Sequence, residues 1–323
     1  GGDTLVVRAG VYRESLRDNI PAGTSWDAPV TIKAAPGERV VVRPDPGAAI
    51  VMDFYVVDGK PQQFIVIDGL VLDAIHVEHD CIKANSPAHH LRFVGCEIKN
   101  AANQGILAAN EADGCEYLNL LVHDNGIREG AHGLYLDGRG VRIEGCRIYN
   151  NGGNALRNNG LHDSVIAYNT MHHNGRHQVS PAVEFHGTGN VMHHNLLYAD
   201  QRGLAIVVRG SGKIYHNTLA GNVGYGIYLS NKEAVVHVAN NVVVGSTLIG
   251  LFNASSSADS VIENNLSFGH PYNFENRANA QAWRNNQEAD PRFVDAARRD
   301  YRLAESSPAR DAAVLLDGLR RDL

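Results

Sequence analysis

Asn169, Asn195, Asn217, Asn241 and Asn265 return at intervals of 22 to 26 residues, each three positions after an Ile, Met or Val. The same frame extends upstream through Val94-Gly95-Cys96-Glu97-Ile98 and Ile143-Glu144-Gly145-Cys146-Arg147-Ile148. A cycle of about 24 residues sustained this long restricts the chain to stacked repeats, because one such unit cannot bury its apolar face alone. An Asn stacked on the Asn of the next repeat can hydrogen-bond along the stack, as amide ladders do in cross-β structures.

A second column runs in step with the first: Cys81-Ile82-Lys83-Ala84-Asn85, Gly105 to Ala109, Gly133 to Asp137, Ala155 to Asn159 and Ala182 to His186, then Ala205 to Arg209, Gly226 to Ser230 and Gly250 to Ala254. Side chains alternate across a strand, so Ile82, Ile106, Leu134, Leu156, Val183, Ile206, Ile227 and Leu251 should point inward and their successors outward.

A length of 323 residues would ordinarily suggest about two domains. A solenoid escapes that rule, since its core lengthens without thickening. With 33 Gly, 20% charged residues and no helix-period run, many short strands and tight turns are expected. The predicted fold is all-β: a single-domain right-handed parallel β-helix of about 10 coils spanning 1–323, with N-terminal coils over 1–60, central coils over 61–276 and a C-terminal cap over 277–323. Cys81, Cys96, Cys115 and Cys146 fall one to a coil without metal-ligand spacing, which makes them small buried thiols. A net charge of -6 argues against a nucleic-acid partner. No apolar stretch reaches membrane-spanning length, and no signal peptide is present; the start at Gly1-Gly2-Asp3 reads as a cut inside a longer chain.

At these residues the chain resembles the right-handed parallel β-helix superfamily of pectate-lyase-like polysaccharide lyases, alginate epimerases and β-helical glycoside hydrolases. Gly2-Asp3-Thr4-Leu5-Val6-Val7-Arg8-Ala9-Gly10-Val11-Tyr12 is similar to that superfamily's first coil, which a capping helix normally precedes. Asp290-Pro291-Arg292-Phe293-Val294-Asp295 resembles its closing segment. The resemblance implies a secreted or periplasmic monomer acting on an anionic polysaccharide, and it admits Ca²⁺ as a cofactor, although no dense Asp/Glu loop stands out. No DPHD, GHG or adjacent Asp pair ties the chain to one activity.

Candidate chemistry lies on the outward positions of the second column. One ladder reads Lys83, Leu107, Tyr135, Arg157, Glu184, Val207, Tyr228 and Phe252; its neighbour reads Asn85, Ala109, Asp137, Asn159, His186, Arg209, Ser230 and Ala254. Gln104, His132, Asn154 and Tyr225 stand just before their strands. Titratable groups concentrate in the middle coils, giving His132, Tyr135, Asp137, Arg157, Glu184 and His186 as candidate catalytic residues. Lys83, Gln104, Asn154, Asn159, Arg209, Tyr225 and Tyr228 would bind substrate, with Arg176 and His177 from an insertion that, with 126–131, could wall the groove.

Elimination or C5-epimerisation of a uronate needs a cation for the carboxylate, a base for the C5 proton and an acid opposite. Arg157, His132 and Tyr135 could fill these parts, with Lys83 or Arg157 as rival bases by resemblance. Hydrolysis needs two carboxylates about 5 Å apart for retention or about 6.5 to 9.5 Å for inversion. Asp137 and Glu184 are expected on the order of 10 to 12 Å apart, with Glu129 or Asp163 as substitutes. A non-catalytic glycan-binding helix is the third reading, and a flat rather than walled face would favour it. Histidines at the turns (His123, His172, His173, His193, His194) could mimic a metal site through repetition alone, so no metal ligand is assigned.

Overall fold

The computed structural model describes residues 1–17, 19–199, 203–277 and 282–316. Three long parallel sheets wind around one core, of 12, 11 and 11 strands. The first begins at Thr4–Val7, the second at Gly10–Tyr12 and the third at Leu16–Arg17, and each coil contributes one strand to each sheet in turn. The fold is the expected all-β, right-handed parallel helix, about one coil longer than anticipated. Its single helical element is a 3-10 turn, Ala296–Arg298, among the described residues. None of their helices is long and apolar enough to cross a membrane.

The sequence columns map onto the third sheet with the expected register. Ile82 pairs with Ile106, Ile106 with Leu134, Leu134 with Leu156, and the series runs on through Val183, Ile206 and Ile227 to Leu251. All eight are fully buried. At roughly 1.5 to 3 kcal/mol for each large aliphatic side chain removed from water, such a column outweighs the preferences of any single strand.

Between the first and second sheets the chain turns through a left-handed residue, for example Tyr168, His194, His216 and Asn240 at φ of 50 to 57°. The Asn that follows points inward. Asn169 Nδ2 donates to Asn195 Oδ1, Asn195 Nδ2 to Asn217 Oδ1, Asn217 Nδ2 to Asn241 Oδ1 and Asn241 Nδ2 to Asn265 Oδ1, all at 2.9 to 3.0 Å. Cys96 and Cys146 are buried in the same column as free thiols, and Cys81 and Cys115 are also buried and free. A second amide ladder, Asn125, Asn151 and Asn174, pins the turns between the second and third sheets.

The ladder of Asp137 and Asn159 does not form as expected. The register slips after Leu136, so Asp137 pairs with Gly160 and Asn159 becomes the extra, exposed residue of a bulge. At the bulge the Asn158 side chain accepts from Leu161 N and donates to His186 O, local bonds that stabilise the shifted backbone.

Candidate functional site

Measured from the second amide ladder, the connections into the third sheet differ in length. Asn125 is followed by eight residues (126–133) before Leu134, Asn151 by four (152–155) before Leu156, and Asn174 by eight (175–182) before Val183. Two long loops thus flank one short turn, and the missing chain leaves a notch two strand spacings wide, about 9.6 Å. Its volume is about 520 Å³.

The short turn is Gly152-Gly153, and the two glycines are required by close approach. A Cβ on Gly153 would stand 2.5 Å from both Ala131 O and His132 Nδ1. The loops are tied together across it, Gly130 N donating to Gln178 Oε1 at 2.7 Å. Val179, 84% exposed, forms the lip.

Six of the sequence-predicted residues line this notch: His132, Tyr135, Asn154, Arg157, Glu184 and Arg209. Tyr135, Arg157 and Glu184 come from three successive rungs of the outward ladder. Arg157 Nη1 lies 3.4 Å from Glu184 Oε2, and its guanidinium carbon lies 5.6 Å from the centre of the Tyr135 ring, in cation–π range. Arg209 is exposed and has no carboxylate partner among the described residues.

His132 is 3% exposed. Burial, with the Arg157 charge second, lowers its pKa to about 4, so the ring is neutral at pH 7. Its Nδ1 accepts the Asn154 backbone N–H at 3.0 Å, and the His132 backbone N–H donates to Gln104 Oε1 at 2.6 Å. An accepting Nδ1 places the ring proton on Nε2. The lone pair that a base needs is therefore already engaged, and His132 is arranged as a donor. Gln104 holds the backbone of this histidine and is not among the residues that line the notch.

The remaining predicted residues lie outside the notch. His186 stands beside it, Nε2 3.9 Å from Glu184 Oε2, with its pKa lowered chiefly by burial. Arg176 turns away to Asp124 Oδ1 and Asn150 O, stapling neighbouring turns. His177 packs by Gly152, Lys83 pairs two rungs below Tyr135, and Tyr225 and Tyr228 stack with Phe252 further along the ladder. Asp137 and Asn159 are carried off by the bulge. The insertion expected to wall the groove does so, but through Gln178, Val179 and Ser180 rather than Arg176 and His177; the alternation of loop lengths after Asn125, Asn151 and Asn174 is a signal that could have singled them out.

The turn histidines have another occupation. His123, Tyr149, His172 and Tyr198 form one continuous stack along the second sheet, with ring centres 4.8 to 5.0 Å apart. Among the described residues no three His, Cys, Asp or Glu side chains converge as a metal site, so none offers the dense acidic cluster that a calcium ion would need.

A family model described as right handed beta helix region matches residues 73–267. No curated protein matches the chain. Among solved structures, pectate lyase Pel9A shares 15% identity at a TM-score of 0.64, covering 99% of this chain and 85% of its own. An alginate lyase from Paenibacillus sp. str. FPU-7 shares 15% identity at 0.60, covering 74% of this chain and 88% of its own. ORF18 of Geobacillus virus E2 shares 14% identity at 0.60 over 88% of this chain, which spans about half (52%) of that protein. At such identities these likenesses establish the fold.

Proposed function

The chain belongs to the right-handed β-helix family, and from that premise we propose that it is a secreted polysaccharide-active enzyme performing β-elimination or C5-epimerisation on a uronate polymer. The observation that carries the reading is the walled notch in which two guanidinium groups, Arg157 and Arg209, stand around a buried neutral histidine. A flat face would have suited mere adhesion. A hydrolase would need a second carboxylate, whereas Glu184 is the one acid among the described lining residues. The solved lyases named above support the substrate class by analogy of fold.

In this proposal Arg157 and Arg209 receive the uronate carboxylate, and Nε2–H of His132 donates to the oxygen on which charge builds as the C5 proton leaves. Glu184 takes that proton. The substrate carboxylate shares Arg157 with Glu184, which loosens the resting ion pair. For elimination, the electrons of the broken C5–H bond form the C4=C5 double bond, the C4–O bond breaks, and the Tyr135 hydroxyl protonates the departing oxygen. For epimerisation, Tyr135 returns a proton to C5 from the opposite face and no C–O bond breaks.

Incubation with alginate, pectate and glycosaminoglycans should yield either the ultraviolet absorbance of an unsaturated uronate or, by NMR, inversion at C5. Arg157→Ala should lower the rate by about a hundredfold or more, as for loss of a group that stabilises developing charge. Neither product from any uronate polymer would end the proposal.

A further inference from the structure

The inner end of the notch holds polar atoms that the protein itself does not satisfy. Asn154 is fully buried, yet among the described residues neither Oδ1 nor Nδ2 has a hydrogen-bond partner. Ser180 Oγ, from the long loop above it, is also buried and finds no partner among the described residues. Both residues line the notch. Every other buried asparagine among the described residues is hydrogen-bonded through its side chain, as in the two amide ladders and at Asn158, Asn190 and Asn253.

Leaving both ends of an amide unsatisfied costs stability, and such a cost persists where a ligand later supplies the bonds. The Asn154 backbone already does the local structural task, its N–H donating to His132 Nδ1 and its carbonyl accepting from Gly133 N. The side chain contributes nothing to that. We infer that Asn154 and Ser180 form a neutral recognition subsite for a sugar substituent that both donates and accepts, a ring hydroxyl or an acetamido group, while the arginines meet the carboxylate. That the sugar is a uronate, and so that uronate oligosaccharides occupy the subsite, rests on the function proposed above.

Asn154→Leu, close in volume, separates this from a structural role. Its chemical-denaturation midpoint should stay level or rise, because a buried unsatisfied amide is replaced by an apolar group. Its affinity for oligouronates, measured by calorimetry, should fall about tenfold to a hundredfold, the equivalent of two neutral hydrogen bonds. Ser180→Ala should fall less, while Ser246→Ala, which removes an unpartnered hydroxyl outside the notch, should leave affinity unchanged. Comparing oligouronates bearing hydroxyls alone with glycosaminoglycan oligosaccharides shows which substituent is read, as the set with the larger loss. A destabilised Asn154→Leu, undiminished affinity, or no binding to the wild-type protein would each overturn the inference. Binding that shows the Asn154 effect without unsaturated or epimerised product would sustain the subsite and sink the proposed reaction.

Discussion

Asn195→Ala tests whether the amide ladder is what holds successive coils in register. Asn195 Oδ1 accepts both from Asn169 N and from Asn169 Nδ2 at 2.9 Å, while its Nδ2 donates to Ile166 O, His193 O and Asn217 Oδ1 at 2.9 to 3.0 Å. Alanine removes all five. Asn169 Nδ2 keeps Ile143 O, and Asn217 Oδ1 keeps the Asn195 backbone N–H. Asn169 N–H is left with no acceptor among these contacts. A stranded buried donor costs about 1 to 3 kcal/mol, and the lost bonds that are partly replaced add to it, so a loss of about 3 kcal/mol is expected. With an unfolding entropy of about 2.1 cal/mol/K per residue, 323 residues translate this into a melting shift of roughly 4 to 5 °C. Urea unfolding followed by circular dichroism, with the slope compared to the parent, reads the same quantity. Asn195→Ala with Asn217→Ala should be less than additive, because the two share a bond. A cost below about 1 kcal/mol would show that strand packing alone sets the register.

Three further outcomes are expected. His132 and His172 have their pKa values lowered from 6.5 to about 4, first by burial, so the folded state resists protonation. Stability should be full above the unfolded pKa and decline as pH falls from about 6.5 toward 4; at pH 5 each histidine should cost about 2 kcal/mol. Urea midpoints equal at pH 7 and pH 5 would contradict this. Gly153→Ala should cost about 1 to 3 kcal/mol through overpacking and release the Gln178–Gly130 tie, read as faster hydrogen exchange at the Gly130 amide. Asn240→Ala should loosen the C-terminal strap, since Asn240 bonds both the N–H and the carbonyl of Val314 at 3.0 Å; earlier proteolysis near that residue would report it, and an unchanged cleavage pattern would refute it.

The scaffold was legible because its determinants are periodic. Inward Ile, Leu and Val and the ladder Asn obey a spacing that survives in sequence, and the register of the third sheet follows from it. The bulge at Asn159 was not legible, since it is stabilised by Asn158 bonding to Leu161 N and His186 O, contacts that no spacing reveals. The role of His132 was obscured for a similar reason. Its place before a strand was readable, but its proton is located by a bond from the Asn154 backbone. Arg176 failed as a groove residue because Asp124 and Asn150 O lie closer to hand on adjacent turns.

The notch and the second amide ladder belong to one construction. Asn151 Oδ1 accepts from Asn125 Nδ2 at 3.1 Å, and Asn174 Oδ1 from Asn151 Nδ2 at 3.0 Å, immediately before the three connections of unequal length diverge. Fixing the departure points lets loop length vary without disturbing strand register, because a surface insertion adds little closure entropy once its ends are held. The ladder upstream of the loops and the buried column of Leu134, Leu156 and Val183 downstream confine each connection between two rigid rails. Loops held this way can place Gln178 against Gly130 and hold Asn154 unsatisfied without unravelling the coil, which is the condition for keeping a costly polar group ready for a ligand. The same rails make the site transferable within the fold: lengthening the turn at Gly152-Gly153 should fill the notch and abolish saccharide binding while lowering stability by no more than Gly153→Ala does, about 1 to 3 kcal/mol. A larger loss, read from the urea midpoint, would show instead that the notch residues are part of what holds the coils together.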